Sequence, residues 1–173
     1  MNDLSGALSK NTTQLMKAIT PFSYEAFNCR PPEGGWTAGE VTEHLLLLDI
    51  RLTDLLQGPT APLDRPPIDH TRRFAGLSDQ TRKFNAPAFI LPTETAKDAG
   101  AMADRILNQR RLIVQMSLKQ DMNRLYTLYP HPAIGLMTGT EWIHFLIMHA
   151  ERHLKQLSAL SYNVDQVQKN TYQ

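Results

Sequence analysis

Six histidines are the residues here with the widest chemical range, and helical spacing divides them. His149 and His153 lie four residues apart in a run where Trp142, Leu146, Leu157 and Leu160 recur at helical intervals. At about 100° per residue the two rings are roughly 40° apart and straddle that apolar stripe, so both are expected to point inward. His44 belongs to an earlier run, Val41, Leu45, Leu48, Leu52 and Leu55, and sits near the edge of its buried face. His144 falls about 140° from the inward pair, on the polar side with Glu151 and Lys155. His70 and His131 stand in irregular connections, where a solvated surface histidine is expected.

Two imidazoles at i and i+4 can reach one metal ion. A lone histidine on an apolar face is usually a core residue with one hydrogen bond. Three of them in an apolar layer are costly, and one divalent cation satisfies one nitrogen on each. Spacing leaves a metal site and a set of core histidines both open. Two rival motifs fit poorly. His149-Ala150-Glu151-Arg152-His153 resembles a zincin helix scrambled by one place, but its Glu151 lies about 160° from His153. Glu141-Trp142-Ile143-His144 has the Glu-x-x-His form of di-iron bundles, yet the sequence holds no second copy.

Four helical stretches must position these residues. The first runs from about Leu4 to Ile19, with Leu4, Leu8, Leu15 and Ile19 on one face, and stops before Pro21. The second opens at Thr37, where Glu40 completes a capping box and Trp36 and Val41 form a hydrophobic staple; Gly58-Pro59 ends it. The third spans about Thr95 to Lys119, with Met102, Ile106, Ile113 and Met116 inward and Leu112 at the margin. The fourth repeats the second's opening, with Thr138 as N-cap, Glu141 at N3 and Met137 and Trp142 as staple. Its polar end, from about residue 163, is expected to fray. Residues 58–92 and 121–137 are proline-bearing connections expected to shape a substrate mouth. No strand pattern competes, so the expected fold is all-α: an antiparallel four-helix bundle with long crossover connections, one domain over residues 1–173.

Composition narrows the function. Eighteen Lys and Arg against seventeen Asp and Glu leave a net charge of +1, which disfavours nucleic acid as a partner. The apolar run Leu45 to Leu48 is far too short to span a membrane, and the start MNDLSGALSK has no secretion signal, so a cytoplasmic protein is expected. The single cysteine, Cys29, excludes an internal disulfide and a Cys-based zinc knuckle, and it reads as a spectator.

Two segments resemble a known family. Gly35-Trp36-Thr37-Ala38-Gly39-Glu40-Val41-Thr42-Glu43-His44-Leu45 is similar to the second-helix opening of the DinB/YfiT-like bundle proteins. Gly139 to Trp142, together with His149-Ala150-Glu151-Arg152-His153-Leu154-Lys155-Gln156-Leu157, resembles that family's fourth-helix signature, and Pro130 to Gly135 resembles a branch of it. The resemblance implies a four-helix bundle in which His44, His149 and His153 hold a divalent cation, zinc or nickel, with open positions filled by water. It also implies a thiol-S-transferase-like chemistry for some members, with a low-molecular-weight thiol as partner.

Three imidazoles with open positions describe a catalytic rather than a closed structural site. The expected function is a metal-dependent transferase or hydrolase, in which metal-bound thiolate or hydroxide attacks a small-molecule electrophile. The alternative is a non-catalytic metal-binding bundle serving as a stress-related interaction module, and a homodimer through helix faces is natural for either. No general acid or base stands out: Glu43 and Asp49 read as surface or edge carboxylates, while Arg152 and Gln156 flank the histidines as either supports to them or solvated helix residues, the latter being the expected reading. Tyr126 and Tyr129 are candidates to line the pocket.

Overall fold

The computed structural model describes residues 4–79 and 85–171, apart from the side chains of His70, Ser78 and residues 162–171. The chain is mostly helical: α1 (Leu4–Ile19), α2 (Tyr24–Asn28), α3 (Ala38–Leu56), α4 (His70–Arg73), α5 (Ala75–Ser78), α6 (Ala99–Lys119) and α7 (Gly139–Thr171). A small antiparallel sheet accompanies them, in the order β1 (Thr60–Ala61), β2 (Leu125–His131), β3 (Gly135–Thr138). The long helices α1 and α3 each pack on both α6 and α7.

Local chemistry explains the boundaries. Thr37 caps α3 by accepting from the Glu40 amide, while the Glu40 carboxylate accepts from the Thr37 amide. The same reciprocal pair opens α7: Glu141 N donates to Thr138 Oγ1 at 3.2 Å, and Thr138 N donates to Glu141 Oε2 at 2.8 Å. The α6 start differs from expectation. It begins at Ala99 rather than Thr95, because Asp98 is the residue whose side chain accepts from the Ala101 amide. In α1, Thr12 and Thr13 do not break the helix; each hydroxyl donates to the carbonyl four residues back. Helix α7 continues to Thr171, past the polar stretch where fraying was expected.

The sheet corrects the all-helical expectation. Residues 121–137 hold a hairpin, with Leu125 opposite Thr138, Tyr126 opposite Met137 and His131 opposite Gly135. Pro130 hid it, since proline removes a ladder donor. β1 pairs only with Leu125 and Tyr126, so Pro130 lies beyond its reach on that side of β2. Gly135 turns the chain at φ +85°, a conformation that favours glycine. At Gly139 a Cβ would collide with Met122 Cε and the Tyr126 ring, so the hairpin packs directly on the start of α7.

The core falls into two clusters. One gathers Leu8, Leu48, Leu52, Ile113, Tyr126, Trp142 and Leu146 near the sheet; the other gathers Leu15, Ile19, Leu45, Ile106, Ala150 and Leu157. Buried polar residues lie close to where the two meet: Asn11 on α1, Asp49 on α3, Arg110 on α6 and His149 on α7. Asp49 is therefore no edge carboxylate. It is 0% exposed, and Arg110 Nε donates to its Oδ2 at 2.9 Å while Arg110 NH1 donates to Asn11 Oδ1 at 2.6 Å. Glu43 also departs from a free surface role, since it accepts from the Thr93 amide and pairs with Lys97 at 3.1 Å. Leu112 faces out, 39% exposed.

Glu141 ties the first connection to α7. It accepts from both terminal nitrogens of Arg65, from the Ile68 amide and from the Thr138 amide. Burial alone would raise its pKa, but these donors outweigh it and hold the carboxyl at about 2. A folded value below the unfolded 4.5 means stability that is present above 4.5 and lost as pH falls toward 2. Wild type is expected to lose stability across that window, and Glu141→Gln to lose part of that slope along with stability at neutral pH. Urea unfolding followed by circular dichroism at stepped pH measures it; equal slopes in the two proteins would contradict the assignment.

Candidate metal centre

The histidine trio comes from two helices. Asp49 stands five positions after His44 on α3, so the histidine turns toward α7 while the aspartate turns to α6. His44, His149 and His153 are 3%, 8% and 7% exposed, and one ring nitrogen from each lies within 4.8 Å of the other two. His44 and His149 approach most closely, Nε2 to Nε2, at 3.2 Å. Trp36 packs on the His44 ring at 4.9 Å and Phe145 stacks on His149 at 5.6 Å.

Tautomers follow from the partners. His44 Nδ1 lies 2.8 Å from the Ile90 carbonyl, which can only accept, so the proton sits on Nδ1 and Nε2 carries the lone pair. His153 Nδ1 is 2.9 Å from Gln156 Oε1, with the same consequence. His149 Nδ1 is buried with no partner among the described residues. The trio meets the requirements of a divalent cation. Two imidazoles sharing one tetrahedral cation at about 2.0–2.1 Å place their nitrogens about 3.3 Å apart, close to the observed His44–His149 spacing. The protons on the far nitrogens of His44 and His153 are held by oxygen acceptors, the usual support for a histidine ligand.

Electrostatics favours neutral rings. Burial lowers all three pKa values, and mutual repulsion among the rings adds to it for His149 and His153; His153 reaches about 4, against an opposing bond to Gln156. Arg110 and Arg152 lower His149 further. At neutral pH each ring offers a lone pair instead of a charge.

These rings line a cavity of about 650 Å³ walled mostly by apolar side chains. Both connections expected to shape a mouth contribute: Pro87, Phe89 and Ile90 from the first, Tyr129 and His131 from the second. Several residues differ from expectation. His131 is half-buried against Trp142 and Phe145 and lines the cavity, and burial lowers its pKa. The alternation Tyr129, His131 along β2 was the signal for it, masked by the two prolines. His70 lies outside the described side chains. Gln156 supports His153, and Arg152 donates to the Asp79 carbonyl at 2.6 Å, tying α7 to the turn after α5. Tyr126 is core, its hydroxyl donating to Gln120, while Tyr129 reaches the cavity. His144 stands half-buried outside the trio, and Cys29 is an exposed free cysteine away from it. No helix among the described residues is long and apolar enough to cross a membrane.

The fold and the cluster agree with relationships found by comparison. Over 151 residues the chain is 23% identical to the uncharacterized protein YuaE of Bacillus subtilis (strain 168), spanning 83% of this chain and 88% of that one. No solved structure matches the chain. Residues 7–157 match the family model of the DinB superfamily, nearly the whole described length from α1 to α7 and both helices of the histidine cluster, and the chain belongs to that superfamily.

Proposed function

We propose that this chain is a cytoplasmic, divalent-metal-dependent enzyme of one domain, whose long helices form an antiparallel four-helix bundle around His44, His149 and His153 as ligands. The reaction is transfer or hydrolysis on a small-molecule electrophile, with a low-molecular-weight thiol or water as nucleophile and zinc or nickel as the ion. One observation carries the reading: three buried, neutral imidazoles converge on the wall of an apolar cavity, and no fourth His, Cys, Asp or Glu joins their cluster among the described residues. Three ligands leave an open position, as catalytic sites do.

What a bound divalent cation supplies is Lewis acidity, which lowers the pKa of a thiol or water by several units. The protein's own residues do the rest. The Ile90 carbonyl and Gln156 fix the orientation of two ligands. Leu48, Leu52 and Phe145 keep water from the remaining wall, which strengthens every electrostatic interaction inside. Arg152 braces α7 against the covering connection. Gln156→Leu is expected to leave the fold intact and weaken zinc affinity about 10- to 100-fold, measured by competition with a chelating dye. Wild-type affinity in that variant would remove Gln156 from the site.

Turnover tests the reading directly. A low-molecular-weight thiol with a chloroarene or an epoxide, and a panel of activated esters and amides, are expected to yield at least one saturable reaction. Chelator and His149→Ala should each abolish it. Metal binding without any such turnover would favour the non-catalytic interaction module.

A further inference from the structure

We propose that Arg51 is an anion subsite of the same cavity, and that the substrate is a largely apolar small molecule bearing a carboxylate. The inference rests on the reading above, in that the histidine trio marks the reacting end of the cavity. Arg51 lies on α3 seven residues after His44, on the same face and about 10 Å along the axis. Its guanidinium is held between two rings, 4.0 Å from the Phe89 centroid and 3.7 Å from the Tyr129 centroid. Those rings come from the two separate connections, so the clamp joins both of them to α3.

The clamp occupies the faces of the guanidinium and leaves its edge, where all five N–H donors lie. Among the described residues no carboxylate or carbonyl takes them, whereas Arg152, which also lines the cavity, donates to the Leu77 and Asp79 carbonyls. No Asp or Glu lines the cavity among those residues, so its charge is positive. A cationic edge in a mostly apolar chamber, held in place by the two rings, selects a planar oxyanion that pairs two oxygens with two N–H groups. A carboxylate's two oxygens and single charge match the paired edge N–H groups and single charge of one guanidinium. The substrate therefore places its carboxylate at the Arg51 end and its reacting atom at the histidine end, about two helical turns apart along α3, with an apolar body between them.

Trp36 and Trp142 are the two tryptophans of the chain and both line the cavity, so their fluorescence reports its occupancy. The probes are phenylpropionate and its uncharged counterpart phenylpropionamide, titrated into the full-length protein with and without chelator. In wild type the acid is expected to bind about tenfold more tightly than the amide, corresponding to about 1.4 kcal/mol. Arg51→Gln should bring the acid to the affinity of the amide without changing the amide, and Arg51→Lys should restore part of the preference. Equal binding of acid and amide by wild type, or no saturable binding of the acid at millimolar concentration, would overturn the proposal. So would a preference that survives Arg51→Gln and disappears with chelator, since the carboxylate would then sit on the metal. A protein that holds no metal yet keeps an Arg51-dependent preference would refute the metal reading and leave the anion subsite standing.

Discussion

Zinc or nickel added in excess to the metal-free protein raises the thermal unfolding midpoint by about 10 °C, and His149→Ala removes the rise. Ligand that binds only the folded state stabilises it by about 4 kcal/mol at a thousandfold excess over Kd. For a chain of this size each kcal/mol moves the midpoint by about 2–4 °C. His149 is the member whose loss should matter most. It approaches His44 to 3.2 Å and touches His153 at 4.6 Å between ring centroids, so it makes the closest contacts in the trio, and its removal leaves only the two imidazoles of His44 and His153, 5.0 Å apart between centroids. The pH dependence has a definite sign. An ordinary histidine is half protonated at about 6.5, whereas burial, with repulsion from His44, holds His153 at about 4. Metal stabilisation should therefore persist at about pH 6, where an exposed trio would already be losing it to protons. The same depressed values make the metal-free protein lose stability as pH falls below about 6.5, because the unfolded chain takes up protons that the folded one resists. Differential scanning fluorimetry across pH with and without metal measures both. A midpoint indifferent to metal, or an equal rise in His149→Ala, would contradict the assignment.

The second large effect is on stability. Asp49→Ala is expected to destabilise the protein by about 3–5 kcal/mol, because it leaves the Arg110 charge buried without its partner. Arg110 is 1% exposed, and Asn11 alone cannot replace a carboxylate. The midpoint should fall by about 10–15 °C at the per-kcal sensitivity given above. Replacing both charges, as in Asp49→Leu with Arg110→Met, should recover most of the loss, since a buried pair exchanged for well-packed apolar residues is often close to neutral. Chemical unfolding of the single and double variants measures the pair. A loss under about 1 kcal/mol in Asp49→Ala would mean that solvent already reaches the carboxylate. Three buried atoms of this network, Asn11 Nδ2, Asp49 Oδ1 and Arg110 NH2, have no partner among the described residues, so it contributes less stability than its bonds suggest.

What could be read from the sequence was what long helices impose. A period near 3.6 put His149 and His153 together, and the Thr37–Glu40 and Thr138–Glu141 boxes placed the helix starts to the residue. The same periodicity carried a signal for the buried pair. Asp49 stands about 40° from Leu45 and Arg110 about 40° from Ile106, each inside an apolar stripe. A charged residue on an apolar stripe of one helix asks for an opposite charge on another. The hairpin was illegible because Pro130 and Pro132 disguise a strand whose partner on one side is two residues long. The Ile90 carbonyl on His44 and the Phe89–Arg51–Tyr129 stack were illegible for another reason. They join residues 38 to 78 positions apart through connections with no periodicity to read.

The central claim is that the three imidazoles hold an ion, and elemental analysis tests it most directly. Untagged protein purified without added metal, and the same protein incubated with zinc or nickel and desalted, should carry about one divalent ion per chain. The His44, His149, His153 triple alanine variant, confirmed helical by circular dichroism, should carry none. Wild type that stays metal-free after incubation, or a folded triple variant that retains the ion, would contradict the account.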